Sequence, residues 1–197
     1  MFNTRNFATA AAIALVSAQV LAQSATETFL SIPINAPFDL PECAHRKTME
    51  KLCFFHDSYA ERAYGVNNGP LKGYQVSVPV GKKPSTFLTS DSYIGVRDGQ
   101  IVSIRTTTLG VTDQEKVLSL LVDKYGAPKT KRTLPLTNGY GATTEVILAA
   151  WETPTVMVEF YGATTRLSTG EVTVVTKPEK ALRDAEKAAK AAAEPKL

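Results

Sequence analysis

Histidine and cysteine are nearly absent from this chain, at two of each in 197 residues, beside a single tryptophan. That scarcity narrows the chemistry. A hydrolytic triad needs a nucleophile, a base and an orienting acid brought together from distant segments. The only candidate bases are His45 and His56. His56-Asp57-Ser58 holds the right residue types, but consecutive side chains point apart and cannot form a triad. No Gly-x-Ser-x-Gly elbow, phosphate loop or dinucleotide fingerprint occurs, so no cofactor is expected. No metal-ligand spacing occurs either, and a metal centre would require His45, His56 and a carboxylate to converge. Charge of one sign is not in excess. Lys and Arg number 22 against 19 acidic residues, a formal net charge of +3. With no basic stripe interleaved with aromatics, nucleic acid is not an expected partner. Long apolar runs are missing too. None reaches the ~20 residues that a membrane-spanning helix needs.

What is present begins at the N-terminus. Met1 to Phe7 carries one basic side chain, Arg5, and no acid; a short apolar run follows to about Ala18 and ends in Gln19-Val20-Leu21-Ala22. A basic start, a short apolar centre and small residues three and one before the exit read as a secretory signal peptide over 1–22. Cleavage is expected between Ala22 and Gln23. No cysteine follows that point to carry a lipid anchor. The expectation is a soluble protein of the periplasm, or a secreted one.

Cys43 and Cys53 read as a disulfide in an exported protein. A straight helix would hold residues ten apart at about 15 Å, at 1.5 Å per residue. A disulfide needs Cα atoms within ~7 Å. The segment between them is therefore expected to turn back on itself.

Val, Thr, Tyr and Gly are plentiful, and little sequence before the last twenty residues favours helix, so strands should dominate. Gln23 to Leu40 reads as extended, with a strand near Phe29–Ile34. Tyr74 to Val80 alternates, with Pro79 placing it at an edge or a strand end. Tyr93–Arg97, Asp98-Gly99 and Gln100–Arg105 read as a hairpin on a type I′ turn. In simple register Ile94, Val96 and Ile101 share one face, with Tyr93, Val102 and Ile104 on the other. Apolar groups on both faces imply either a sheet covered on both sides or a different register. Thr112-Asp113-Gln114-Glu115 reads as a capping box. It opens an amphipathic helix with Val117, Leu118, Leu121, Val122 and Tyr125 as its stripe, ended by Gly126 and Pro128. Lys129, Lys131 and Arg132 begin the next strand. Thr144–Glu152, Thr155–Tyr161 and Glu171–Thr176 are expected strands, with loops at Asn138–Gly141 and Gly162–Gly170. Thr176-Lys177-Pro178-Glu179 is a second capping box. It opens an Ala/Lys/Glu helix whose only large apolar residue is Leu182, expected to be solvated and, in the limit, detached from the sheet. Tyr-Gly-Ala-Thr-Thr occurs at Tyr140–Thr144 and again at Tyr161–Thr165. Repeated turn chemistry accounts for it better than paired ligand loops.

The order of these features carries a resemblance: a leader, a Pro-Cys segment, a strand-turn-strand, Thr-Asp-Gln-Glu-Lys-Val-Leu running on to Lys-Tyr-Gly-Ala-Pro, a Trp-bearing strand and a final helix. The layout resembles small exported proteins of proteobacteria that carry no assigned function. Leu109 to Pro128 is also similar to the Gly…helix…Gly-x-Pro unit of small envelope lipoproteins with an outer-membrane assembly role, without their anchoring cysteine. The resemblance implies an envelope address and carries no functional residue across.

The expectation is one α+β domain over 23–176, with a mostly antiparallel sheet, one packed amphipathic helix and an Ala-rich helix over 177–197. The leading functional reading is a periplasmic binding or protein-interaction module with an envelope protein as partner. Candidate contact residues lie on three loops: His45 with the nearby His56, Asn138 with Tyr140, and Arg166. The rival is an envelope hydrolase or metal-dependent enzyme using His45 or His56.

Overall fold

The computed structural model describes residues 27–44, 51–56, 70–79, 81–137 and 141–193. The expected signal segment with its Ala22–Gln23 junction, His45, Asn138 and Tyr140 lie outside them. Ten strands and two helices follow in order: β1 (Thr28–Phe29), β2 (Ile32–Pro33), β3 (Cys53–Phe55), β4 (Leu71–Ser77), β5 (Phe87–Arg97), β6 (Gln100–Thr108), α1 (Gln114–Tyr125), β7 (Thr130–Thr137), β8 (Thr143–Glu152), β9 (Val156–Arg166), β10 (Thr169–Thr176) and α2 (Lys177–Ala193). Strands β3 to β10 form one antiparallel sheet in the order β3-β4-β5-β6-β10-β9-β8-β7. This is the expected α+β architecture. It is two four-stranded meanders, each followed by a helix, joined where β6 meets β10.

One face of the sheet carries the core. Val76, Ile94, Ile104, Val174, Val158 and Trp151 are buried there, and α1 lays Val117, Leu118 and Leu121 across it. Val122, expected in that stripe, is exposed. The hairpin turn sits at Asp98 (φ 50°) and Gly99 (φ 75°), the positive angles a type I′ turn requires. The simple register does not hold. Ile94 pairs with Ile104 and Val96 with Ile101, with an irregularity between Gly95 and Val96. One extra residue in β6 brings Ile101 and Ile104 onto the same face, so Ile104 joins the core instead of facing away.

Four further readings are corrected. Phe29–Ile34 is not one strand but a tight reversal, with Leu30 and Ser31 at φ 51° and 65°. The Thr112 capping box is not used. Residues 110–112 form a single 3-10 turn, α1 starts after Asp113 without a side-chain cap, and Asp113 pairs instead with Lys116 at 2.7 Å. Most of the expected Gly162–Gly170 loop is strand, because β9 runs to Arg166 and β10 resumes at Thr169. The final helix is not detached. Glu179 lies beneath its first turn with 1% of its surface exposed. There it takes Arg97 Nε at 2.6 Å and Arg183 Nε at 2.7 Å, while Arg183 Nη2 donates to Ser103 Oγ at 2.8 Å. Arg97 and Ser103 alternate with Val96 and Ile104, so α2 docks on the face opposite α1. Beyond Arg183 the described helix is exposed on every side. Thr176 does cap it, accepting from the Glu179 amide at 3.4 Å.

The Cys43–Cys53 disulfide is present, with Cα atoms 5.1 Å apart. The chain doubles back as the spacing requires. Residues 41–43 run beside β3, with Cys43 N donating to Phe54 O and Phe54 N to Pro41 O, both at 2.9 Å. Pro79 lies just past the end of β4, which is flanked by β3 and β5. No described helix is long and apolar enough to cross a membrane.

Candidate binding site

Three segments meet at the C-terminal end of α1. The helix stops because Gly126 takes φ 79° and returns its N–H to Val122 O at 2.8 Å. The Gly126 carbonyl then accepts from Trp151 Nε1 at 2.8 Å, which ties the helix end to the last turn of β8. The β8–β9 turn is organised by Thr153, whose hydroxyl accepts from the amides of Thr155 and Val156 at 3.3 and 3.0 Å. Glu27 reaches the same turn. Its Oε2 accepts from Thr155 Oγ1 at 2.8 Å and from Thr153 Oγ1 at 3.3 Å. Lys177 N donates to Thr155 O at 3.1 Å, so the start of α2 is held here as well.

Between these segments lies an open cleft of about 520 Å³, lined by Tyr125, Ala127, Lys129, Trp151, Glu152, Thr153, Pro154 and Lys177. Lys129 and Lys177 both pair with the Glu152 carboxylate, Lys177 at 2.9 Å. The hydrogen bonds from Lys129 and Lys177, with their charges, hold Glu152 down at about 2, so it stays ionised. Tyr125 is the opposite case. Its hydroxyl is buried and finds no hydrogen-bond partner among the described residues. Burial first, then the nearby Glu27 carboxylate, pushes its pKa above the ordinary tyrosine value. The cleft therefore offers a fixed carboxylate bridged by two ammonium groups, with Tyr125 in its lining and the Tyr125 hydroxyl itself buried. It can orient a polar group by hydrogen bond and charge.

The residues singled out from sequence do not converge on this cleft. His56 is exposed beside β3, at the opposite edge of the sheet from β7 and β8. It packs against Phe54 and Tyr74 with ring centroids 5.3 and 5.8 Å apart, and Phe38 completes the cluster. Arg166 is exposed at the end of β9, with β4, β5, β6 and β10 standing between that strand and β3. No group of three His, Cys, Asp or Glu is placed to hold a metal among the described residues. The cleft residues gave weak sequence signals. Tyr125 stands in the sequence as the last residue of the helix stripe, and Lys129 as one of three basic residues that begin the next strand. Nothing in the linear order joins them to Glu152 or Lys177.

No family model matches the chain, and neither a curated protein nor a solved structure matches it.

Proposed function

We propose that this protein is an exported binding module of the cell envelope that holds a polar ligand group in the Tyr125–Glu152 cleft without transforming it. The observation that carries the reading is a pair of facts about Tyr125: it lines an open cleft, and its buried hydroxyl has no acceptor among the described residues. A buried polar group left unpaired costs roughly 1–3 kcal/mol and calls for an explanation. A ligand oxygen that met this hydroxyl after a shift of the Tyr125 ring toward the cleft would remove the cost, and Lys129, Lys177 and Glu152 would fix its orientation. Binding sites of this kind are concave, with a few convergent polar groups. The Cys43–Cys53 disulfide supports an oxidising compartment.

The test is capture from an envelope extract. The oxidised protein and its Tyr125→Phe variant are immobilised, and retained small molecules and proteins are quantified by mass spectrometry. The expected result is a species retained by the native protein and lost at least tenfold with Tyr125→Phe, at unchanged melting temperature. If both proteins retain the same species equally, the cleft is not the binding site and the reading fails.

A further inference from the structure

Another recess shares no lining residue with that cleft, and its chemistry is different. It lies between the β1–β2 hairpin, the outer side of α1 and residues 82–87, with a volume of about 280 Å³. The edge-to-face pair Phe29–Phe87, with centroids 6.3 Å apart, lies against it. Leu30, Leu120 and Leu121 complete its apolar lining. Leu121 is buried, whereas Leu120 is 38% exposed, so part of this apolar surface faces water. Lys82 and Lys124 also line the recess. No described acidic side chain forms an ion pair with either; Lys124 lies over the Tyr125 ring at 5.3 Å. The acids close by are otherwise directed. Glu27 is engaged by Thr153 and Thr155, and Asp123, next to Lys124 on the helix, points to a different side of it.

The hairpin that walls the recess is strained. Leu30 and Ser31 both lie in the left-handed region, where a two-residue turn favours Asn and Gly. A branched apolar residue is rare there. Strain of this kind concentrates at ligand clamps, and here it holds Leu30 in the wall of the recess.

We infer that this recess binds a single-chain amphiphile with an anionic headgroup, its chain on Leu30, Phe87, Leu120 and Leu121 and its carboxylate at Lys82 and Lys124. The size fits one chain. Pockets for drug-sized ligands run from ~300 to ~1,000 Å³, and this recess, at about 280 Å³, lies just below that range. Its concave form takes a monomeric chain in; insertion into a bilayer would call for an apolar ridge. The inference stands apart from the proposed function, because it uses neither the Tyr125 hydroxyl nor Glu152.

The test is isothermal titration of the oxidised protein with octanoate, decanoate and dodecanoate below their micelle concentrations. Saturable one-to-one binding is expected, tightening about two- to fourfold per added methylene until the recess is full. The decyltrimethylammonium ion should bind at least tenfold more weakly than decanoate. Lys82→Gln with Lys124→Gln should weaken decanoate about tenfold, and Leu120→Asp should weaken it with either lysine set. All are surface changes, checked by an unchanged melting temperature. Tyr125→Phe keeps the ring under Lys124 and should leave decanoate binding within twofold. Absence of saturable binding, equal binding of the two charge types, indifference to both the lysine and Leu120 changes, or association only with anionic vesicles would each overturn the inference.

Discussion

The two halves of the sheet end in the same way, a meander and then a helix, yet the two helices are held by opposite means. Helix α1 is bound by shape, with Val117, Leu118 and Leu121 buried on the core face. It is also bound by one side chain that imitates a strand. Gln114 Nε2 donates to Glu145 O at 2.8 Å while its Oε1 accepts from Ile147 N at 2.9 Å. That stretch of β8 pairs with β7 on one side and has no β9 partner on the other, since pairing with β9 ends at Leu148–Tyr161. Gly162 makes room for the amide, since a Cβ there would come within 2.2 Å of Gln114 Oε1. Helix α2 has no apolar stripe to bury, and its Leu182 is 46% exposed. It is held by the Glu179 carboxylate between two arginines. Apolar docking spreads along a helix, whereas a single ion cluster fixes one end and leaves the rest to solvent.

The largest way to break this comparison is Leu121→Ala. Emptying a buried leucine site costs about 2–5 kcal/mol, so urea unfolding should show a loss in that range, felt by the whole domain. A loss below about 1 kcal/mol would mean that α1 is not core. Glu179→Gln should cost less, about 1–2 kcal/mol, because the amide keeps an acceptor for the arginines and both Arg97 and Arg183 reach solvent, which hydrates the charge left unpaired. Its signature is local. Amide exchange through Lys177–Ala193 should accelerate while α1 stays protected, and equal acceleration in both helices would erase the distinction. Acid sharpens the point. Burial alone would raise the Glu179 pKa, but the hydrogen bonds and charges of Arg97 and Arg183 outweigh it and hold it below the ordinary value. The clasp is therefore complete above the unfolded carboxyl pKa, about 4.3. It weakens as pH falls through the lower folded value. Helical circular dichroism of native protein should fall across that window, and Glu179→Gln should lack that step. The smallest effect belongs to Gln114→Ala, about 1 kcal/mol for bonds at a partly exposed site. Faster exchange at Ile147 is its marker.

The same contrast explains what could be read in advance. The α1 stripe apart from Val122, the Asp98-Gly99 turn and the Cys43–Cys53 disulfide are local patterns, and each is present as read. Docking of α2 was illegible because the group that holds it is charged, and its partner Arg97 lies 82 residues away in sequence. The bulge in β6 hid which face Ile104 would take, since one extra residue reverses the alternation. Gly162 to Arg166 has the composition of a loop and became strand because β10 was there to pair with its end. The Tyr125 cleft takes its lining from three separated segments, and no one of them carries the chemistry alone.

The free edge of the sheet at β7 has its own consequence. All eight of its residues are exposed, Leu134 and Leu136 among them. Gln114 bonds Glu145 O and Ile147 N from the side away from β7, so Pro135, paired with Glu145, turns its backbone nitrogen outward. An added strand would meet a missing donor in the middle of its ladder.

The joining of β6 to β10 also sets an order of events in time. Every other pairing between strands of the large sheet links neighbours in the chain, while Ser103–Thr108 must wait for Gly170–Val175. Hairpin closure is fast and long-range pairing is slow. In a chain that emerges N-terminus first, the earlier meander would spend its first moments with one open flank, and the last strand to arrive would be the one that closes the sheet.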